Sequence, residues 1–384
     1  MRRTLLATTF LLAATPAWSF GFPAHVEGLW ADAKRAGISR ATFDRATKGL
    51  TANEKLRRLT AKQPEFSSPV GTYFDKRMSK QRIAGGRKKV RQYRKLLDRI
   101  EGRTGVDPYI VAAIWGLETS YGGYIGKQDV FRSLATLTYF GYRADFFREQ
   151  FVHALTMLER DGIDRADMRG SWAGAVGQTQ FIPSSYLEHA VDFDGDGDRD
   201  LWRSVPDALG SAANYLKNNG WQADRPWGYP VSVPEREIDA VTRPWADWAK
   251  RGVKRRDGEA FPKDGEATLF FPAGSQGPAF LITENFDVIK SYNQSDAYAL
   301  VVAMLADRLR GMKPVSLNWP GTPQLPKSKR ERLQALMAER GIAVDNRIGR
   351  MTPTMRRLVR DLQKEFGLVP DGHGDQELLA KLGG

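Results

Sequence analysis

The segment Val106-Asp107-Pro108-Tyr109-Ile110-Val111-Ala112-Ala113-Ile114-Trp115-Gly116-Leu117-Glu118-Thr119-Ser120-Tyr121-Gly122 is a mostly apolar run with one carboxylate near its end, at Glu118. Asp107 is of a type favoured as a helix N-cap, and Pro108 suits the first helical position. These features predict a buried helix that begins at Pro108. Glu118 follows Ile114 by four residues and Val111 by seven, so a helix places these three side chains on one face.

A carboxylate on an apolar helix face loses hydration, so we expect the pKa of Glu118 to be raised. A carboxyl group that keeps its proton near neutral pH can protonate a departing glycosidic oxygen. The same pattern also fits a buried Glu118 that pairs with an arginine or caps a neighbouring helix, because structural ion pairs perturb pKa values too. Periodicity alone leaves the catalytic and the structural interpretations equally open.

The chain has 384 residues, a formal net charge of +13 and no cysteine. Arg2, Arg3, the short apolar run over residues 5–14 and the small residues at 17 and 19 predict an export signal over residues 1–19, with a retained N-terminal anchor as the alternative. Without cysteine there are neither disulfides nor a lipid-modified cysteine. We therefore expect an exported, periplasmic protein with no transmembrane segment. Its charge of +11 without Arg2 and Arg3 favours an anionic partner.

The pattern along the chain predicts a mainly α (α+β) protein with several parts. Helical periodicity covers residues 24–120, 128–220 and 298–309. Between the last two stretches, residues 229–288 are rich in proline and glycine and contain short β-type runs, which predict a small β-containing insert. Four prolines then predict a linker over residues 313–327. The predicted domains are residues 20–312, with that insert, and residues 328–384.

Capping signals predict three helices in residues 328–384. Ser328 and Glu331 have the spacing of a capping box for the first helix. Thr352 is a natural N-cap for the second, with Pro353 at its first position, and Asp375 suits the start of a short third helix.

The segment around Glu118 closely resembles the catalytic helix of the lytic murein transglycosylase B family. Further stretches resemble the same family in the expected order, so the resemblance covers roughly residues 24–312. They are Gln63-Pro64-Glu65-Phe66, the run from Gly170 to Tyr186, Val191-Asp192-Phe193-Asp194-Gly195-Asp196-Gly197, Ala213-Asn214-Tyr215-Leu216 and Tyr292-Asn293-Gln294-Ser295.

The resemblance implies a lysozyme-like core in which Glu118 is the single catalytic acid/base. Glu118 would protonate the bond between N-acetylmuramic acid and N-acetylglucosamine, then take a proton from the C6 hydroxyl of the muramoyl sugar as a 1,6-anhydro ring closes. The substrate's own acetamido group would stabilise the cationic intermediate, so a second catalytic carboxylate is not needed. By the same resemblance, residues of the sugar-binding cleft would be Ser171, Gln178, Tyr292, Asn293 and Tyr298.

An acidic loop begins like an EF-hand, with carboxylates at Asp192, Asp194 and Asp196 and a glycine at loop position six. Asp198, at position seven, would offer its backbone carbonyl. Position twelve holds an arginine instead of the usual glutamate, and Asp207 could supply the distal carboxylate in a longer loop, as in the family. Hard oxygen ligands favour a structural Ca²⁺ with no part in the chemistry. An acidic turn that binds no metal is the alternative.

Residues 328–384 resemble the small three-helix peptidoglycan-binding domain of cell-wall enzymes, through Gly349-Arg350-Met351-Thr352-Pro353-Thr354 and Phe366-Gly367-Leu368-Val369-Pro370-Asp371-Gly372. They depart from it at Asp345-Asn346-Arg347, where the family commonly has Asp-Gly. The resemblance implies a flexibly tethered wall-binding unit that raises the effective substrate concentration. A degenerate helical cap without affinity for the wall is the alternative.

The sequence therefore predicts a monomeric peptidoglycan lytic transglycosylase that acts on glycan strands, needs no cofactor for its chemistry and binds no nucleic acid. Free carboxylates on the stem peptides suit the basic chain. A hydrolytic muramidase on the same fold, and a wall-binding protein without activity, are the alternatives. A retained carboxylate on an apolar helix disfavours the latter, because such a placement is costly.

Overall fold

The computed structural model describes residues 21–60, 68–345 and 348–384, so the predicted export signal and the stretch at residues 63–66 lie outside the described residues. Helices dominate the described parts, which confirms a mainly α protein with small sheets. The described helices of the N-terminal half are α1 (Phe22–Gly28), α2 (Trp30–Arg35), α3 (Arg40–Thr47), α4 (Leu56–Leu59), α5 (Val70–Arg77), α6 (Lys80–Gln92), α7 (Arg94–Thr104), α8 (Pro108–Thr119), α9 (Val130–Tyr139), α10 (Ala144–Asp161) and α11 (Pro183–His189).

The C-terminal half adds a second set of helices and most of the strands. Its helices are α12 (Val205–Asn218), α13 (Trp245–Lys250), α14 (Glu284–Ser291), α15 (Asp296–Arg310), α16 (Lys327–Glu339), α17 (Pro353–Glu365) and α18 (Gln376–Lys381). The strands within the described residues are β1 (Gln128–Asp129), β2 (Arg169–Gly170), β3 (Gly228–Ser232), β4 (Thr242–Pro244), β5 (Lys254–Arg255), β6 (Glu266–Phe270) and β7 (Ala279–Ile282). None of the helices in the described ranges is both long and apolar enough to cross a membrane.

Helix α8 lies in the largest apolar core, where it packs against α15, α12, α6 and α7. Ten of its twelve residues are buried, so its apolar composition reflects burial on several sides. A second core joins α1–α4 to α9, α10 and α11. Two aromatic side chains, Tyr215 and Tyr292, pack against both cores.

The insert forms one antiparallel sheet in the order β4-β6-β7-β3-β5, with its own small core around Trp245 and Trp248. Central strands β6 and β7 pair at Leu269 and Leu281, and both of these side chains are buried. The strands run from residue 228 to residue 282. The predicted range extended to residue 288, but Thr283 caps α14 by accepting a hydrogen bond from Asn285 N at 3.2 Å, so residues 284–288 are helical.

Helices α16, α17 and α18 form a three-helix unit around a separate core, which we call the C-terminal module (residues 327–384). Thr352 caps α17 and Asp375 caps α18, as predicted. The predicted capping box at Ser328 is wrong, because α16 already begins at Lys327 after Pro326 and has no side-chain cap. Pro326 itself occupies the N-cap position, and its side chain has no atom that could accept a capping hydrogen bond.

The predicted linker lies against the rest of the protein instead of hanging free. Its Trp319 ring packs against Phe74 and Phe280, at centroid distances of 5.5 and 6.5 Å. Gly71 contacts it so closely that an added Cβ would lie 2.4 Å from the Cβ of Trp319. Proline composition predicted a linker, but Trp319 fixes that segment to the core. The C-terminal module is therefore docked, in contrast to the flexible tether we expected.

Candidate active site

Helix α8 presents Glu118 at its C-terminal end, where the chain turns sharply. Asp107 caps the helix start by accepting a hydrogen bond from Tyr109 N at 2.8 Å, as its position predicted. Ser120 leaves the helix with φ 53° and Tyr121 follows with φ 64°, both in the left-handed region. Glu118 is only partly buried, although the residues on either side of it are buried. The turn thus places a carboxyl group at the edge of the core.

Glu118 accepts a short hydrogen bond from a tyrosine of another helix. The hydroxyl of Tyr298, in the first turn of α15, donates to Glu118 Oε1 at 2.6 Å. Tyr298 is itself 2% exposed, so the bond lies at the margin of the core. Burial and the nearby carboxylate of Glu118 raise the pKa of Tyr298 well above its usual value. The phenol therefore stays protonated and remains a hydrogen-bond donor throughout the neutral range.

Tyr292 lies parallel to Tyr298, with ring centroids 6.5 Å apart and an interplanar angle of 10°. Its hydroxyl donates to the backbone oxygen of Thr179 at 2.9 Å, and its ring meets the edge of Tyr215 at 4.9 Å. Burial, followed by the charge of Glu118, raises the pKa of Tyr292 well above the usual range. The structure thus brings together Glu118, Tyr292 and Tyr298, three of the predicted site residues.

Gln178 lies under the end of α8, and both the oxygen and the nitrogen of its side-chain amide form hydrogen bonds within the protein. Its Oε1 accepts from Trp115 Nε1 at 3.1 Å, and its Nε2 donates to the backbone oxygen of Trp202 at 3.4 Å. Only 5% of the residue is exposed. Gly122 follows the turn, and a Cβ there would lie 2.5 Å from Gln178 Oε1, so this contact requires glycine. These contacts make Gln178 a structural support for the end of α8.

The other two predicted cleft residues lie in turns. Ser171 Oγ accepts hydrogen bonds from the backbone amides of Ala173 and Ala175 at 3.2 and 3.0 Å, which shape the 171–175 turn. Asn293 is partly exposed in the turn after α14, next to Tyr292. Ser171 therefore has a structural task in its turn, while Asn293 keeps an exposed face.

Thr119 is a supporting residue that sequence reasoning missed. Its hydroxyl donates to the backbone oxygen of Gln178 at 2.6 Å and accepts from Gly122 N at 3.0 Å. It therefore ties the turn after Glu118 to the 170–186 segment. A hydroxyl directly after the candidate catalytic residue was the available signal, but its partner is 59 residues away in sequence.

The acidic loop gathers four of the five predicted metal ligands. Carboxylate oxygens of Asp192, Asp194, Asp196 and Asp207 all lie within 4.8 Å of one another. The carboxylate of Asp198 is not part of this group, and the use of its backbone carbonyl stays a prediction.

Backbone amides preorganise the loop around these carboxylates. Asp192 accepts hydrogen bonds from Gly195 N at 2.6 Å and Gly197 N at 2.9 Å, and these bonds lower its pKa. Asp207 is fully buried and accepts from Phe193 N and Asp200 N, while burial raises its pKa. An all-oxygen donor set with one buried carboxylate fits a hard cation such as Ca²⁺.

The chain is similar in sequence and in structure to lytic transglycosylases. A 228-residue segment, 56% of this chain, is 33% identical to the membrane-bound lytic murein transglycosylase B of Escherichia coli K12 and spans 60% of that relative's length. A crystal structure of SltB3 from Pseudomonas aeruginosa in complex with NAG-anhNAM-pentapeptide matches 95% of this chain and 100% of that chain, at 39% identity and a TM-score of 0.81.

The E. coli lytic transglycosylase Slt35 in complex with calcium matches 74% of this chain and 92% of that chain, at 27% identity and a TM-score of 0.64. These matches confirm the lysozyme-like fold expected from the sequence. The model of the transglycosylase SLT domain matches residues 21–307, which is well over half of the chain. The chain therefore belongs to the transglycosylase SLT domain family, as the resemblance around Glu118 predicted.

Proposed function

We propose that this protein is a peptidoglycan lytic transglycosylase with Glu118 as its single general acid/base. The observation that carries the proposal is the carboxyl group of Glu118 at the margin of the core, held by a buried tyrosine hydroxyl at 2.6 Å. The similarity to structures solved with peptidoglycan fragments supports the same substrate class.

In the first step, protonated Glu118 gives its proton to the oxygen between N-acetylmuramic acid and N-acetylglucosamine, and the bond from C1 to that oxygen breaks. The substrate's acetamido group stabilises the cationic centre. In the second step, the carboxylate takes the proton of the C6 hydroxyl while O6 bonds to C1 and closes the anhydro ring. Glu118 ends protonated, ready for another cycle, and no water is consumed.

Tyr298 and Tyr292 support this cycle in different ways. The Tyr298 hydroxyl orients the carboxyl group and stabilises its ionised form between the two steps, because hydrogen bonds to charged groups are the stronger ones. Tyr292 and Asn293 lie in the turn next to it, where a flat ring and an amide suit the faces and hydroxyls of a sugar. We propose both as substrate-binding residues and assign Gln178 and Ser171 to shaping the cleft.

We further propose that the acidic loop binds a structural Ca²⁺ through Asp192, Asp194, Asp196 and Asp207, with the backbone carbonyl of Asp198. The ion would hold the segment between α11 and α12 and has no part in the chemistry. We propose export to the periplasm on the basis of the predicted signal, and peptidoglycan glycan strands as the partner on the basis of the basic charge. We also propose that the protein is a monomer.

A Glu118→Gln variant tests the assignment, because the amide keeps the shape but cannot deliver a proton. We expect activity on purified peptidoglycan to fall by at least about a hundredfold. Glu188→Gln is the control, since that side chain is 73% exposed on α11. Mass spectrometry of the parent's digest should show products lighter by one water than those of a hydrolytic muramidase. Full activity of Glu118→Gln, or hydrated products from the parent, would overturn the proposal.

A further inference from the structure

The turn between α14 and α15, residues 292–295, connects two elements that the proposed reaction needs. It carries Tyr292 and Asn293, and it leads into the first turn of α15, where Tyr298 contacts Glu118. Its Gln294 is in the left-handed region, with φ 54°, so the turn is tight. Whatever holds the two ends of this turn therefore also sets the position of the two tyrosines.

The C-terminal module holds both ends. On the α14 side, the ammonium of Lys290 donates to the backbone oxygen of Met351, in the module. On the α15 side, Arg356 of α17 donates to Asp296 Oδ1 at 2.9 Å and also to Asp287 Oδ1, on α14, at 3.0 Å. Lys290 completes the cluster by pairing with Asp296 at 2.6 Å.

The cluster is neutral and largely shielded from water. It contains two cations and two carboxylates, and the side chains of Arg356 and Lys290 are only 12% and 9% exposed. Burial opposes ionisation of Asp296, but Lys290 and then Arg356 outweigh it and lower its pKa. Buried ion pairs add little net stability compared with apolar packing, yet losing one partner is costly. A cluster of this kind at a module boundary is better suited to fixing one arrangement than to adding stability.

Asp296 is two residues before Tyr298 in the same helical turn, and Ser295 Oγ caps that turn by accepting from Tyr298 N at 3.3 Å. Arg356 therefore fixes the first turn of α15, and Tyr298 in that turn orients the Glu118 carboxyl group. We propose that Arg356 is a positioning residue for the Glu118–Tyr298 pair, and that the C-terminal module is part of the catalytic apparatus in addition to any contact with the wall. This inference rests on the function proposed above.

The docked linker supports the proposal. Trp319 packs against Phe74 and Phe280 of the main domain, and Arg256 donates to the backbone oxygen of Ser316 at 3.4 Å. The module is thus held at a fixed place by its linker as well as by the ion cluster. A unit that served only to find the wall would need neither contact.

The test compares full-length variants on a soluble tetrasaccharide of alternating N-acetylglucosamine and N-acetylmuramic acid, which does not require wall targeting. Arg356→Met removes the charge, Arg356→Lys keeps it with one donor group, and Arg357→Met is the control at an exposed site on the same helix. Measurements are made well below the lowest Tm of the set. We expect kcat of Arg356→Met to fall by about ten- to a hundredfold, because small misplacements of catalytic groups cost that much. Arg356→Lys should recover part of it, and Arg357→Met should match the parent.

A double variant separates positioning from general stability. If Arg356 acts through Tyr298, the Arg356→Met/Tyr298→Phe protein should lose little more kcat than Tyr298→Phe alone. The inference would be overturned if the fold-losses in kcat of the two single variants multiply in the double variant. A normal kcat of Arg356→Met on the soluble substrate would also overturn it. Inactivity of the parent on both tetrasaccharide and peptidoglycan would instead refute the proposed function, so the two failures are distinguishable.

Discussion

Tyr298→Phe removes one oxygen atom from the site and leaves the ring in the core. In the parent, that hydroxyl donates to Glu118 Oε1 at 2.6 Å from a residue that is 2% exposed. Because the pKa of Tyr298 is raised well above its usual range, by burial first and by Glu118 next, the hydroxyl keeps its proton at every pH of interest. It therefore favours the ionised form of Glu118, and its loss should raise the pKa of the carboxyl group in the variant.

The size of the change follows from the kind of hydrogen bond. A hydrogen bond to a charged group contributes about 1.5–3 kcal/mol. The neutral carboxyl group also accepts this bond, at about 0.5–1.5 kcal/mol, so the difference that shifts the pKa is about 1–1.5 kcal/mol. At about 1.4 kcal/mol per pH unit, we expect its loss to move the pKa of Glu118 up by about 1 unit. The proposed first step needs protonated Glu118, so we expect kcat/KM to fall on the alkaline side as Glu118 ionises. In Tyr298→Phe that alkaline limb should move to higher pH by the same amount, about 1 unit.

The assay is kcat/KM on the soluble tetrasaccharide over about pH 4 to 9. Tyr292→Phe is the matched control, because its hydroxyl donates to the backbone oxygen of Thr179 instead. Its alkaline limb should stay with that of the parent, whatever happens to the maximal rate. An unmoved limb in Tyr298→Phe, or an equal shift in Tyr292→Phe, would refute the view that this hydroxyl sets the ionisation of Glu118.

Two further predictions concern stability. Calcium should raise the Tm of the parent, and a chelator should lower it. The gain in the free energy of unfolding should reach about 3 kcal/mol when the free ion is about a hundredfold above its Kd. An Asp192→Asn/Asp194→Asn variant should show no response to either treatment. Burial raises the pKa of Asp307 to about 7 from the usual 3.8. Between about pH 4 and 7, this carboxyl group is therefore ionised in the unfolded chain but still protonated in the folded one. The free energy of unfolding of the parent falls as the pH rises through that range. Asp307→Asn keeps an acceptor for Trp227 Nε1, so its advantage over the parent in urea unfolding should grow by about 2 to 3 kcal/mol between about pH 5 and 8. A constant difference would contradict this pKa.

Local signals predicted the features that depend on neighbouring residues. Asp107 and Pro108 begin α8 as expected, and Thr352 caps α17, because caps are set within three or four residues. The family resemblance added the role of Glu118 and the grouping with Tyr292 and Tyr298, which periodicity had left undecided.

Features that depend on distant residues could not be predicted in the same way. Gln178 is occupied by Trp115 and Trp202, and neither contact is visible in the spacing of the chain. The composition of the linker indicated freedom, while a single ring, Trp319, provides the docking. The hydrogen bond from Tyr298 to Glu118 joins residues 180 positions apart, so it exists only through the packing of α8 against α15.

The raised pKa values of the two buried tyrosines suit a site with one proposed acid/base. In the proposed cycle, Glu118 gives up a proton and then regains one from the sugar, so a neighbour that could ionise in the same range would compete for it. Burial raises the pKa values of both Tyr298 and Tyr292, and this keeps each phenol a donor that does not exchange its proton during the cycle. In the proposed cycle, the proton would then move only between Glu118 and the substrate. The two cores and the docked module together hold both tyrosines in this buried setting.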